Sequence, residues 1–468
     1  MLPARYILVL SGIIFSVIIH FTLKSLLSDP TTPHLENIWW GDTDKSKIHD
    51  ETIKSFQINI SKQILDDLEF RLKHHRTFIP SLENVSQQYG INSKLLDEII
   101  EYWKNDYKWS ERQNYLNKFP QFTTQIQGLT IHFLRVKPNI PKSRELHVLP
   151  LLLLHGWPGS VREFYEIIPL LTTPQKDKNF VFDIIAPSLP GYGFSEATRK
   201  PGLGAAQVAM IMKNLMNRLG FNKFYVQGGD WGSIIGTTMS IMYPSNVRGL
   251  HINLCFSSKP ISQIIHFFGS LYPKLVVEDE YQNLLYPLSS FFHYLISETG
   301  YLHLQATKPD TIGVSLNDSP VGLAAYIIEK FITWTNKEWI KREDGGLKEK
   351  FSYADLLDNV MIYWITGSIT TSMRLYSETF NKDHTSLQLD RISVNVPTAC
   401  AKFKNELVYS PDLLLKQKYP NLIHSVTYND GGHFAAFELP QILAEDIWTA
   451  IQKIEENYSK NRDINNQQ

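Results

Sequence analysis

The stretch Phe224-Tyr225-Val226-Gln227-Gly228-Gly229-Asp230-Trp231-Gly232-Ser233 limits the fold more than any other part of the chain. Its first three residues are an apolar run of strand type, and Ile234 to Met242 reads as a helix closed by Pro244. Between them stands Gly-x-Asp-x-Gly, the pattern of a nucleophile elbow, in which glycines flank the reactive residue because the turn is too tight for side chains. The elbow carries a carboxylate, Asp230, where a hydroxyl or thiol would be usual. A carboxylate attacks saturated electrophilic carbon and becomes an ester, so a second step must free it with activated water. The rest of the chain then has to supply a base, its acid partner, oxyanion donors and a group that assists the leaving atom.

Strand-like runs alternate with helical stretches around this turn. The strands are Leu129 to Val136, Val148 to Leu154, Asp183 to Ala186, Phe224 to Val226 and Leu250 to Leu254, and the helices run near Val161 to Leu171 and Ala205 to Leu219. Continuous apolar strands separated by helices predict a largely parallel sheet covered on both faces, an α/β fold. The alternation stops after Ser258. Residues 259–385 are rich in aromatics and poor in strand signals, which predicts a helical lid over the carboxyl ends of the strands, where open sheets bind ligands. Strands resume at Thr398 to Phe403 and Ile423 to Tyr428, and Pro440 to Asn457 is a closing helix. The core is thus expected in two parts, 123–258 and 386–458, followed by a polar, frayed tail at 459–468. Residues 28–122 read as an accessory helical segment: Ile64, Leu65, Leu68 and Leu72 recur at helical spacing, as do Leu95, Leu96, Ile99, Ile100 and Trp103.

In elbow folds the nucleophile is followed in the chain by the acid and then the histidine. His433, on the glycine loop Asp430-Gly431-Gly432-His433, is placed as the base. Its partner is expected after the strand ending at Phe403, where Glu406 comes first and Asp412 competes. Two backbone N–H groups should hold the oxyanion: that of Trp231 and that of Trp157 in His155-Gly156-Trp157-Pro158-Gly159-Ser160, since Pro158 has none. His155 sits at a strand end before a glycine and is read as holding the loop. Gly191-Tyr192-Gly193 lacks the third glycine and the helix of a dinucleotide fingerprint and is read as a loop.

The net charge of −1 and the lack of a basic block argue against nucleic acid as a partner. No metal-ligand spacing occurs, and nothing implies a cofactor. The two cysteines, Cys255 and Cys400, give no disulfide framework, which places the catalytic part in a reducing, cytosolic setting. Residues 1–27 are expected to be a transmembrane anchor. Tyr6 to Leu23 holds no Asp, Glu, Lys or Arg, lies between Arg5 and Lys24, and is long enough to span a bilayer; a cleaved signal peptide is the alternative. Trp39 and Trp40 fit either a membrane interface or packing in the core.

The motifs His155-Gly156-Trp157-Pro158-Gly159-Ser160, Gly228-Gly229-Asp230-Trp231-Gly232-Ser233 and Gly431-Gly432-His433-Phe434-Ala435-Ala436-Phe437-Glu438 together resemble the microsomal epoxide hydrolases, a group that includes the insect juvenile hormone epoxide hydrolases. Glu298-Thr299-Gly300-Tyr301 and Asn317-Asp318-Ser319-Pro320-Val321-Gly322 add to the likeness, which extends over nearly the whole chain. It implies an α/β-hydrolase fold, a microsomal (endoplasmic reticulum) membrane protein, and hydrolysis of lipophilic epoxides to diols. It also implies that Tyr301 and Tyr376 donate to the epoxide oxygen while Asp230 attacks, and that His433, oriented by Glu406, then hydrolyses the ester. Haloalkane dehalogenases share the Asp-Trp-Gly elbow but need halide donors where this chain offers two tyrosines. A non-catalytic lipid-binding protein on the same fold would have no need of both Asp230 and His433.

Overall fold

A computed structural model describes residues 28–42 and 50–467, with side chains to residue 460. Its centre is a nine-stranded sheet formed by β1 (Lys54–Phe56), β2 (Gln121–Ile126), β3 (Leu129–Val136), β4 (His147–Leu154), β5 (Phe180–Pro187), β6 (Phe224–Gly228), β7 (Val247–Ile252), β8 (Thr398–Phe403) and β9 (Leu422–Tyr428). The order is β1-β2-β3-β5-β4-β6-β7-β8-β9. From β5 to β9 all neighbours are parallel, while β1, β2 and β3 add an antiparallel edge. Because β5 lies on one side of β4 and β6 on the other, the winding reverses between β4 and β6. The crevice at the carboxyl ends of these two strands is where such a sheet can seat a ligand, and both the 155–160 loop and the elbow open there.

One apolar cluster joins the helices Ala205–Arg218 and Asp230–Met242 to one face of the sheet, through residues such as Ile211, Leu215, Ile235 and Met239. A second, on the other face, holds Ile168 and Leu171 with Leu443, Ile447 and Trp448 of the closing helix Pro440–Gln467. Between β7 and β8 the chain leaves the sheet for a run of helices, from Pro260–Gly269 to Ile369–Phe380 and Lys382–Thr385. Ile327, Phe331, Leu357, Met361 and Tyr376 of this insertion belong to the first cluster, so the insertion and the core share apolar packing.

The structure departs from the sequence reading at several points. Two edge strands, β1 and β2, precede the first expected strand, so the accessory segment is not purely helical. Gln121–Ile126 is polar in composition, which hides it. Its signal is the two-residue turn Gln127-Gly128, with φ of 49° and 84°, that folds β2 back on β3. Trp40 is buried, and Trp39 lies against Gly128, so the pair packs within the fold. The closing helix runs to Gln467, past the point where the sequence suggests a frayed tail. Cys255 and Cys400 are not lone thiols: they are buried and joined in a disulfide, with Cα atoms 6.2 Å apart. Adjacent strands bring them together across 145 residues, which their spacing could not reveal, and the argument for a reducing, cytosolic setting falls with that pairing. The expected anchor lies outside the described residues, among which no helix is long and apolar enough to cross a membrane.

Candidate active site

Asp230 stands at the start of its helix with φ of 47°, a left-handed conformation that costs an ordinary residue energy and aims the carboxylate into the crevice. The flanking glycines are there for contact. A Cβ on Gly232 would sit 1.9 Å from the Leu154 carbonyl oxygen, and one on Gly228 would meet the backbone of Gly232 at 2.3 Å. Across the crevice the Trp157 N–H donates to Asp230 Oδ1 at 2.7 Å. Among the described residues no bond from the Trp231 N–H to that oxygen is formed, although Trp231 follows Asp230 directly.

His433 Nε2 lies 3.4 Å from Asp230 Oδ2, and its Nδ1 is 2.6 Å from Glu406 Oε1. All three groups converge from three different strand ends. Glu406 Oε1 also accepts the Leu407 N–H at 2.7 Å, and Oε2 is buried without a partner. Asp412 is elsewhere, bonded to Lys402 Nζ and Ser425 Oγ, both at 2.7 Å. Burial opposes a charge on His433, but the Glu406 and Asp230 carboxylates outweigh it and hold the imidazole well above its ordinary range. The loop itself is braced: the His433 N–H donates to the Trp334 carbonyl at 2.9 Å, and Glu438 accepts the Gly432 and Phe434 N–H groups, both at 2.8 Å.

The insertion brings two phenols above Asp230. Tyr301 stacks on Trp157 with ring centroids 5.3 Å apart and planes 8° from parallel, and Tyr376 stands edge-on to Trp231 at 4.7 Å. The two phenol rings are 6.0 Å apart. The Tyr376 hydroxyl is buried with no hydrogen-bond partner. Burial, first, and the negative charge of Asp230 raise both hydroxyls well above the usual phenol range, so both keep their protons at neutral pH.

His155 is neutral and structural, as anticipated. Burial lowers it to about 4, its Nε2 accepts the Leu189 N–H at 3.1 Å, and its Nδ1 is 3.0 Å from the Gly156 carbonyl. Sequence reasoning missed a polar cavity beside Asp230, lined by Asp230, His433, Glu163, Gln227 and Asn253. Gln227 Nε2 donates to Asn253 Oδ1 at 2.9 Å and leaves its own Oε1 unpaired, while burial pushes Glu163 up to about 8. These residues fall in no motif; only the polar Gln227 inside an apolar strand was a hint. Among the described residues no group of side chains could hold a metal ion.

A carboxylate aimed into a crevice, an imidazole–carboxylate pair behind it and two protonated phenols in front can together displace an oxygen from saturated carbon. Comparison with known proteins agrees with that chemistry. Residues 53–164 match the family described as epoxide hydrolase N terminus, and residues 150–388 match the alpha/beta hydrolase fold. The chain is 50% identical to juvenile hormone epoxide hydrolase 2 of Ctenocephalides felis, over 96% of each chain. It is 46% identical to epoxide hydrolase 1 of Sus scrofa, over 87% of this chain and 91% of that one. The crystal structure of juvenile hormone epoxide hydrolase from the silkworm Bombyx mori superposes with a TM-score of 0.89 at 51% identity, covering 91% of this chain and all of that one. With such likeness along nearly its full length, the chain belongs to the epoxide hydrolase family.

Proposed function

We propose that Asp230, His433, Glu406, Tyr301 and Tyr376 carry out a two-step hydrolysis of lipophilic epoxides. The observation that carries this reading is the meeting of the two tyrosines over a carboxylate already held by an oxyanion donor. Trp157 fixes Oδ1, which leaves Oδ2 to attack a ring carbon. A carbon–oxygen bond forms, the ring carbon–oxygen bond breaks, and its electron pair moves to the ring oxygen, which takes a hydrogen bond and then a proton from the phenols.

Ester formation changes the electrostatics of the base. Asp230 loses its charge, so one of the two carboxylates that raise His433 is gone and the imidazole moves toward its neutral form. His433 can then take a proton from water in the adjoining polar cavity, with Gln227 Oε1 free to orient it. Water attacks the Asp230 carboxyl carbon, the oxyanion at Oδ1 rests on the N–H groups of Trp157 and Trp231, and as it collapses the bond from that carbon to Oδ2 breaks. Oδ2 leaves in the diol with the proton from His433, and the second water proton, left on the new Asp230 carboxyl, restores the phenol that protonated the ring oxygen. The lid role of residues 259–385 follows from the two tyrosines it supplies.

For substrate we propose epoxides of the juvenile hormone type, because four of the relatives bear that name, with bulkier lipophilic epoxides as the second class. We also propose that residues 6–23 anchor the chain in the endoplasmic reticulum membrane. The test is mass spectrometry of the Asp230 peptide during turnover. His433→Gln should accumulate an ester on Asp230, and Asp230→Ala should make no diol; an unmodified Asp230 in His433→Gln enzyme that still binds substrate would refute the scheme. Removal of either tyrosine hydroxyl should slow ester formation by about 100-fold and leave ester hydrolysis nearly unchanged.

A further inference from the structure

Residues 260–273 and 281–297 contain no Asp, Glu, Lys or Arg. They form the helix Pro260–Gly269, the turn after it and the helix Leu288–Glu298, in which no residue is fully buried. Their apolar side chains are turned outward: Phe267 is 62% exposed, Leu271 81% and Ile296 80%, with Phe268, Leu275 and Phe292 alongside. The two helices lie side by side, since the His266 and Phe291 rings are 5.7 Å apart and the Tyr286 hydroxyl donates to the His266 carbonyl at 2.9 Å. An outward apolar surface of this extent marks contact with something apolar.

The path of the chain says what that is. Asp29, near the first described residue, is bonded to Lys259 Nζ at 2.6 Å and to the Ser393 N–H at 2.7 Å. Lys259 immediately precedes the first of the two helices. Leu23, the end of the apolar segment, is six residues before Asp29, at most about 20 Å of chain. An anchor at residues 6–23 would therefore be tethered beside the exposed patch. On the opposite side of the second helix, Tyr294 has its hydroxyl buried beneath Lys337, whose Nζ is 4.4 Å from the ring, and Tyr301 begins the next helix. One helix thus has Phe292 and Ile296 outside and leads to the epoxide-facing tyrosine within.

We propose that this patch rests in the hydrocarbon edge of the bilayer as a second membrane contact, so that lipophilic substrate passes from lipid into the site beside the helix Leu288–Glu298. The proposal rests on the reading of residues 6–23 as an anchor. The exposed acids Glu278, Asp279 and Glu280 border the patch and favour a zwitterionic over an anionic lipid surface.

The full chain tests it. Its own cysteines are paired, so a single introduced thiol can be labelled: Phe268→Cys or Leu271→Cys in the patch, and Val148→Cys at the far end of β4. In phosphatidylcholine vesicles carrying acyl-chain spin labels, a fluorophore at 268 or 271 should be quenched about two-fold or more, and one at 148 should not. Phe267→Glu combined with Phe268→Glu should lower kcat/KM about ten-fold for an epoxide delivered in those vesicles and leave the rate in detergent unchanged. If the protein floats with vesicles but the patch labels are not quenched, the patch is covered by a second copy or by residues 1–27, and the proposal fails while the anchor stands. If the protein does not float, both fail.

Discussion

Gly156 shows how finely the Asp230 carboxylate is seated. A Cβ there would come within 2.1 Å of Asp230 Oδ1 and 2.3 Å of its Cβ, so the carboxylate can reach the Trp157 N–H only because the residue before Trp157 has no side chain. A turn of the Asp230 side chain would relieve the contact with Oδ1 but not the one with Cβ, so Gly156→Ala should shift the backbone of the elbow or of the 155–160 loop locally and push the carboxylate off its donor. A displacement of about an ångström at the reacting atom predicts a loss of roughly 100-fold in kcat/KM. Steady-state kinetics alongside a thermal melt will decide: a variant with unchanged melting and a loss under about three-fold would show that the Trp157 bond does not matter to the reaction. At this scale the sequence was informative where glycines enclose a reactive residue, as at Asp230 and His433. It was silent at Glu163, Gln227 and Asn253, which reach the cavity from separate elements and share no spacing.

Among the elements, those built on strong periodicity were legible and those built on pairing were not. Leu95, Leu96, Ile99, Ile100 and Trp103 recur at helical spacing and are all buried in the helix Ser93–Asn105. β1 escaped because it is only three residues long at the sheet edge, and β2, though paired on both sides, buries the polar Gln121 and Thr124 and so shows no apolar alternation. The helix Ser93–Asn105 also has a start signal with a double use. Asn92 Oδ1 accepts the Leu95 N–H at 2.8 Å as a cap, and its Nδ2 donates at 2.8 Å to the Glu343 carbonyl of the insertion. Asn92→Ala removes both and leaves the Glu343 carbonyl without that donor. The expected cost is about 1 to 2 kcal/mol of stability with little change in kcat, read by urea denaturation against the wild-type chain. A cost near zero would mean that the accessory segment is not coupled to the insertion through this residue.

Across the whole molecule the accessory segment, the core and the insertion meet in one buried ionic cluster. Asp358, fully buried on the insertion helix Tyr353–Thr366, accepts from Tyr107 at 2.9 Å, from Arg112 Nε at 2.8 Å and from Arg162 Nε at 3.1 Å. Arg162, also fully buried, spans to Asp355 at 2.6 Å and to Glu166 at 2.8 Å. The next turns of the same helix hold the 155–160 loop: Asn359 Nδ2 donates to the Pro158 carbonyl and Tyr363 to the Gly159 carbonyl, both at 2.7 Å. None of this was legible in the sequence, because its members lie up to 251 residues apart and each reads alone as a surface charge. Replacing a buried pair by apolar groups can be neutral, but removing one partner leaves the other short of contacts: Asp358→Ala would take the acceptor from Tyr107 and from the Nε groups of Arg112 and Arg162, while Arg162 kept Asp355 and Glu166. The predicted loss is about 1.5 to 3 kcal/mol, and activity should fall even where the variant remains folded, because the helix that fixes Pro158 and Gly159 loses one of its ties. Asp358→Asn, which keeps an acceptor for Tyr107 and the arginines, should lose less of both. Denaturation with a fluorescence and an activity readout separates the cases. Coincident transitions that shift together would mean the three segments unfold as one unit, whereas an activity loss well before the fluorescence change would place the cluster's main effect on the 155–160 loop. An Asp358→Ala chain as stable and active as the original would show that the cluster contributes to neither.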